Sequence, residues 1–195
     1  RGSKVRKMHT SRRDAFRPIN ELPLAKIFED GKMEILNKNY NKRNNGKVDV
    51  VDNFEHKTAL LYVYPGMNPE ILDYYRKEKY KGIVIAATGL GHVSTLNPKQ
   101  SLVKKIKELT DNGVPVIITS QTLYGRVHPF VYSPLRKLSI ELNCIFAEDM
   151  LPETAYIKLG WVLPQAKNIE EVKEMMLTNY AGEISERSEE EGFLY

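Results

Sequence analysis

From residue 58 onward, the chain alternates between continuous apolar runs and amphipathic stretches. The apolar runs begin at Thr58, Gly82 and Val114, and a shorter one spans Cys144 to Ala147. Runs of this length that are rich in Val and Ile are typical of parallel strands covered on both faces. Strands that alternate with helices favour right-handed crossovers. The pattern therefore predicts a small α/β domain, flavodoxin-like in its layers, with a parallel sheet of about four strands.

Helix-start signals lie between and after these strands. Asn is a favoured N-cap residue and Pro suits the first helical turn. Two Asn-Pro pairs, a later Pro and a later Asn therefore mark four helix beginnings. Glu three residues after Asn168 adds a signal of the capping-box kind. The four predicted helices begin at Asn68, Asn97, Pro152 and Asn168. The first is expected to end near Lys79 and the second at Gly113, which is a favourable C-terminal residue.

The first 57 residues follow a different pattern, with few periodic apolar positions. Residues 1–25 are predicted to be loop and connector, while Asp30-Gly31 between alternating segments predicts a two-residue hairpin within 26–36. We therefore divide the chain into a connector region (1–57), an α/β domain (58–182) and an acidic C-terminal tail (183–195). The chain begins without Met in a dense polar sequence, which we interpret as a sign that it was cut from something longer.

The candidate site lies where the second strand ends in a glycine turn, ATGLGH, closing with Gly91 and His92. Ligands of open parallel sheets bind beyond the carboxyl ends of strands, and Ser120-Gln121-Thr122 ends the third strand at the same edge. These polar residues are candidate ligand contacts or simply loop residues. The turn lacks the third glycine of a dinucleotide fingerprint and any Gly-Lys-Ser/Thr, so phosphate binding is disfavoured. The four histidines are dispersed, so no metal site is expected.

Charge is distributed unevenly along the chain, and its composition indicates a cellular compartment. Residues 1–20 hold seven Lys or Arg and one acid, whereas 183–195 hold five acids and one Arg, within a net charge of +4. Pairing of these charges within the fold is favoured over nucleic-acid binding, because the arginines lack interleaved aromatic residues. The single cysteine, Cys144, and the lack of a secretory signal or a membrane-length apolar run predict a cytoplasmic protein with no membrane partner.

Several stretches together resemble the asparaginase and glutaminase amidohydrolase family. They are RKMHTSRRDAFRPIN, FEDGKMEI, LLYVYPGM, GIVIAATGLGH, VPVIITSQTLYG and DMLPETAYIKLGW, in the family's order. Such a resemblance implies the C-terminal part of a two-domain fold, preceded by a larger domain that carries the nucleophilic threonine and a Thr-Asp-Lys group. The family's catalytic lysine falls thirteen residues before Asn20, on Lys7. Lys7 is therefore the catalytic residue implied by the resemblance, while its setting in a basic run is equally typical of a solvated lysine.

The connector RRDAFRPINELPLA and the closing TNYAGEISERSEEEGFLY resemble the archaeal tRNA-dependent amidotransferase branch of this family. This branch implies hydrolysis of glutamine, with ammonia passed to a partner, the tRNA-binding E-type subunit of the amidotransferase. The partner would use ATP and Mg to amidate Glu-tRNA(Gln), so no cofactor is expected on this chain. The family also implies a homodimer in which Gly91 and His92 close a neighbour's site, although many members carry Asn at the His92 position. A free-standing asparaginase and a non-catalytic α/β binding module remain the other interpretations.

Overall fold

Two short antiparallel hairpins precede the main sheet. A computed structural model describes residues 2–38, 40, 42–43, 46–47 and 49–193. The first hairpin pairs strands β1 (Val5–Lys7) and β2 (Phe16–Pro18). Residues 1–25 were predicted to be loop, and this prediction is wrong for the hairpin. Strands of three residues leave no period in the sequence, and the hairpin is held by tertiary burial of Ala15 and Ile19.

The second hairpin confirms the turn predicted within 26–36 but differs in its geometry. Strand β3 (Ala25–Ile27) pairs with β4 (Met33–Ile35), and Gly31 adopts a φ of +83°. The Gly31 amide donates to the Phe28 carbonyl at 3.0 Å, and the Phe28 amide donates to the Lys32 carbonyl at 2.9 Å. The loop therefore has three residues, with glycine in the left-handed position after a turn, rather than the two residues expected.

The main sheet has four parallel strands, as the apolar runs predicted. They are β5 (Thr58–Tyr62), β6 (Gly82–Ala87), β7 (Val116–Ser120) and β8 (Ile145–Phe146), in the order β5-β6-β7-β8. One row of paired residues crosses the whole sheet through Leu60, Val84, Ile117 and Ile145. All six residues of β6 are buried, which is why its sequence is continuously apolar.

Helices cover both faces of this sheet. They are α1 (Ile71–Lys77), α2 (Val103–Asp111), α3 (Ser133–Arg136, continuing as a π-helical turn over Lys137–Glu141), α4 (Pro152–Val162) and α5 (Ile169–Leu177). The core residues of α1, α2 and α3 pack with Ile83 and Ile85 on one face of the sheet. Those of α4 and α5 pack with Val84 on the other. The result is a three-layer α/β/α arrangement.

Of the four predicted helix starts, those of α4 and α5 hold, whereas α1 begins at Ile71 with Glu70 rather than Asn68 as its N-cap, and the prediction for α2 fails. Pro152 begins α4, and the Asn168 side chain accepts a hydrogen bond from the Glu171 amide at 2.8 Å at the start of α5. Asn97 does not start α2. It closes a separate turn by accepting from the Ser101 amide at 2.7 Å, while the Leu102 amide donates to the Ser94 carbonyl. Since that amide is already bonded outside the helix, the helical ladder begins only afterwards.

Candidate functional site

The glycine turn after β6 is a rigid loop closed by its own backbone. The Thr88 amide donates to the His92 carbonyl at 3.0 Å, and the His92 amide donates to the Thr88 carbonyl at 2.8 Å. Gly91 has a φ of +112°, and a Cβ there would lie 2.8 Å from the Phe146 ring. Only glycine fits both the conformation and the space. Gly91 is thus a structural requirement of the turn that presents His92.

The polar residues after β7 fasten this turn to the sheet. The Ser120 hydroxyl donates to the Gly89 carbonyl at 2.7 Å and accepts from the Thr122 amide at 3.0 Å. The Gln121 side-chain amide donates to the carbonyls of Val63 at 2.6 Å and Ala86 at 2.9 Å. These bonds fit the interpretation of Ser120 and Gln121 as loop residues with a structural role better than the interpretation as ligand contacts. Ser120 and Gln121 join the ends of three strands into one edge.

His92 is half-buried at this edge, next to an exposed apolar segment. Its ring centroid lies 5.4 Å from that of Tyr132. Tyr132, Phe130 and Val131 are all about half exposed. Within the described part of the chain, the His92 imidazole has no hydrogen-bond partner. The side chain is therefore available to a group that approaches from outside this chain.

Lys7 lies at the end of β1 and is exposed. Its ammonium stands 5.9 Å from the centroid of the Phe16 ring on the paired strand β2. No hydrogen bond, ion pair or ring contact joins Lys7 to Gly91 or His92 among the described residues. The described structure therefore shows no direct link between Lys7 and the glycine turn.

A three-residue polar cluster, which sequence reasoning missed, places β1 at the carboxyl edge of the sheet. Arg6 forms an ion pair with Glu153 and donates to the Tyr62 hydroxyl at 3.1 Å, and that hydroxyl donates to Glu153 at 2.9 Å. Burial and the neighbouring Glu153 raise the pKa of Tyr62. Tyr62 ends β5 and Glu153 lies in the first turn of α4, so the cluster fixes the strand that carries Lys7 against both elements. Sequence separations of 56 and 147 residues left no local signal of it.

Strand order also changes the interpretation of this edge. In doubly wound sheets a ligand crevice opens where the strand order reverses. The described strands β5 to β8 follow one another without a reversal, and α1 to α3 lie on one side. The edge is therefore an exposed rim rather than a switch-point crevice.

Other sources of chemistry are limited in the described part of the chain. Burial raises the pKa of the Cys144 thiol to about 12, so this group stays protonated at neutral pH and is a poor nucleophile. No group of three or more His, Cys, Asp or Glu side chains there is arranged to hold a metal ion. None of the helices there is both long and apolar enough to cross a bilayer. The N-terminal basic residues Lys4, Arg6, Arg12 and Arg17 pair with carboxylates, which agrees with the internal pairing expected from the sequence.

Comparisons with known proteins agree with this architecture. Residues 57–176 match the family model "Glutaminase/Asparaginase C-terminal domain". The chain is 54% identical over 194 residues to a Pyrococcus furiosus protein named as the D-type subunit of glutamyl-tRNA(Gln) amidotransferase, covering 100% of this chain and 43% of that protein. A protein of the same name from Methanobrevibacter smithii is 45% identical over 195 residues, with 43% of its length covered. The chain thus spans less than half the length of these relatives.

Solved structures give the same result for the fold. The thermostable L-asparaginase from Thermococcus kodakarensis superposes with a TM-score of 0.81 at 30% identity, covering 94% of this chain and 53% of that one. L-asparaginase I from Vibrio cholerae gives a TM-score of 0.79 at 26% identity, with 94% and 54% covered. The three-layer domain and the family model together lead to one conclusion: the chain belongs to the glutaminase/asparaginase family, and its residues 57–176 form that family's C-terminal domain.

Proposed function

We propose that this chain acts as the C-terminal part of a glutamine-hydrolysing amidotransferase subunit. One observation carries the proposal: 54% identity to a protein named as the D-type subunit of glutamyl-tRNA(Gln) amidotransferase extends over 194 residues, beyond the family domain into the N-terminal hairpins and the C-terminal tail. In this view residues 1–57 are the end of an N-terminal catalytic domain and its connector. Residues 58–182 are the α/β domain, and 183–195 the acidic tail.

The proposed chemistry uses a threonine of the preceding domain as the nucleophile. Its hydroxyl oxygen attacks the side-chain amide carbon of glutamine, and the hydroxyl proton passes through Lys7 to the departing nitrogen. Ammonia leaves, and water then hydrolyses the acyl-threonine to glutamate. A lysine amine within reach of a hydroxyl can serve as this relay. Lys7 is suited to the role because it is exposed at the end of a strand that the Arg6 cluster fixes in place.

The ammonia would serve the tRNA-binding E-type partner, which uses ATP and Mg to amidate Glu-tRNA(Gln) in the cytoplasm. The chain itself would need neither cofactor. A homodimer would complete the sites, with the glycine turn and His92 of one copy closing the glutamine site of the other. The free imidazole face of His92 and the exposed segment beside it support that placement.

The experiment is a comparison of amide substrates with the full-length protein. Glutamine and asparagine hydrolysis are measured with and without the tRNA-binding partner, Glu-tRNA(Gln), ATP and Mg. We expect glutamine to be preferred, and its turnover to rise when the complete system is present. Rapid hydrolysis of asparagine by the protein alone, unaffected by partner or tRNA, would instead establish a free-standing asparaginase.

A pair of histidine substitutions tests the assignment of His92. His92→Ala in the full-length protein is expected to weaken glutamine binding, while His56→Ala, an exposed histidine just before the amino end of β5, leaves it unchanged. An equal effect of both substitutions would contradict the assignment of His92 to the substrate rim.

A further inference from the structure

The C-terminal segment of residues 179–193, here called the C-terminal strap, crosses back to the beginning of the chain. The Ser3 hydroxyl donates to the Ala181 carbonyl at 2.9 Å. Lys4 donates to the Ser185 hydroxyl. Farther along, a Cβ on Gly192 would lie 2.8 Å from the backbone of Asn20, so the strap also packs closely on the end of the first hairpin.

At the centre of this crossing is a buried ion pair. Lys4 pairs with Asp149, and both residues are about 96% buried. A buried charge is costly unless its remaining hydrogen-bonding groups are satisfied. Two of these bonds come from the strap: the Ser185 hydroxyl accepts from Lys4, and the Ser185 amide donates to Asp149 at 2.9 Å. Ser185 thus completes the environment of both charges.

The strap is itself held by the domain. The Arg126 guanidinium donates to the Ser185 carbonyl at 2.8 Å and to the Glu186 carbonyl at 3.3 Å, and it pairs with Glu148 at 3.1 Å. The Phe193 ring meets the Tyr124 ring edge-on at 5.1 Å between centroids. These contacts come from the loop that follows β7 and from the residues after β8. The strap is therefore a bridge between the domain and the first hairpin.

The position of Lys4 gives this bridge a consequence for the site. Lys4 immediately precedes β1, and Lys7 ends that strand three residues later. A strand rises about 3.3 Å per residue, so the two Cα atoms are separated by roughly 10 Å of nearly rigid backbone. Other polar contacts also hold this hairpin: the more exposed Arg6 cluster, the Thr154 hydroxyl, which donates to the Ser3 carbonyl at 2.7 Å, and the Asn20 side chain, which bonds to the Gly125 backbone. Among these contacts the Lys4–Asp149 pair is the most deeply buried, so its weakening would loosen the strand that carries Lys7.

We propose that Ser185 and the C-terminal strap are positioning elements for Lys7, acting through the buried Lys4–Asp149 pair. This inference rests on the proposed function, because it assigns the strap a role in the same amide hydrolysis. Ser185 touches no reacting group. It sets the place from which the Lys7 amine reaches the reaction, so its loss should lower kcat and spare KM.

The test uses the full-length protein and substitutions at one position. Ser185→Ala removes the hydroxyl, and Ser185→Thr retains it. Ser188→Ala is the matched control, an exposed serine of the same strap. We expect Ser185→Ala to lower kcat for glutamine hydrolysis about three- to tenfold with KM within twofold of wild type, Ser185→Thr to restore most of the loss, and Ser188→Ala to behave as wild type.

Amide hydrogen exchange provides a readout independent of catalysis. Ser185→Ala should accelerate exchange across residues 5–18 relative to Ser188→Ala. Unchanged exchange and unchanged kcat in Ser185→Ala overturn the inference. A fall in kcat that merely follows the folded fraction measured by circular dichroism also overturns it, since a structural role alone would explain that result.

The two proposals fail in distinguishable ways. If wild-type protein does not hydrolyse glutamine, the proposed function is refuted and the catalytic role of the strap with it. If wild type is active and faster exchange leaves kcat unchanged, the strap fastens the hairpin without positioning Lys7. The proposed function then stands and the further inference alone is wrong.

Discussion

Replacing Gly91 by Ala tests whether the glycine turn is shaped by steric necessity. The backbone at φ +112° lies in a region nearly restricted to glycine, which costs a side-chain-bearing residue about 1–3 kcal/mol. The new Cβ would also lie 2.8 Å from Phe146 and 3.0 Å from Ile118, both parts of the core. Overpacking of this kind costs about 1–3 kcal/mol. Together these effects predict a loss of roughly 2–6 kcal/mol in the free energy of unfolding.

Gly89→Ala is the matched control in the same turn. Its φ of +50° is in the ordinary left-handed region, and its Cβ would meet only the His92 ring at 3.9 Å. We expect a loss of only about 1–2 kcal/mol there. Urea unfolding followed by the fluorescence of the single tryptophan, Trp161, compares the midpoints at constant m-value. Equal midpoints for the two variants would refute the steric account of Gly91.

Three further predictions concern the proposed catalytic role of Lys7, the sheet edge and acid stability. Lys7→Ala in full-length protein should lower glutamine turnover by at least about 100-fold with little change in Tm, because the side chain is exposed; retained turnover removes Lys7 from the mechanism. Gln121→Ala leaves two strand-end carbonyls without their side-chain donor and should cost about 1–3 kcal/mol in urea unfolding, whereas an unchanged midpoint would show that water replaces it. Burial opposes ionisation of Glu183, but the hydrogen bonds that it accepts from Lys158 and from backbone amides outweigh this effect and hold its pKa below the usual value. The ionised carboxylate therefore stabilises the fold fully at pH values above the pKa of Glu183 in the unfolded chain, and this stabilisation is lost as pH falls through its pKa in the folded protein. Glu183→Gln should therefore flatten the decline in Tm below about pH 4.5, and an unchanged acid profile would contradict this.

Sequence patterns predicted the sheet well because strands that are buried on both faces have continuously apolar sequences. Every residue of β6 is buried, and its six letters are correspondingly apolar or glycine. The start of α2 was harder, since Asn97 and Pro98 do form a turn. Only the bond from the Leu102 amide to Ser94 shows that this turn is separate from the helix.

The sequence predicted where the glycine turn lies in the fold but not the contacts that support it. The glycine turn and the polar residues after β7 were identified from their place after strands. The Gln121 side chain faces the sheet because it donates to the carbonyls of Val63 and Ala86. These residues are 58 and 35 positions earlier in the sequence. The Arg6 cluster likewise joins distant segments. Contacts of that range leave no periodicity for sequence analysis to detect.

The pairing of Lys4 with Ser185, 181 residues apart, has a consequence for how the chain matures during synthesis. A ribosome releases the first hairpin long before it adds the strap, since elongation proceeds at about 5–20 residues per second. Until then the ammonium of Lys4 lacks its Ser185 acceptor. The C-terminal strap can thus fasten β1 only after the α/β domain that lies between them in the sequence has been made.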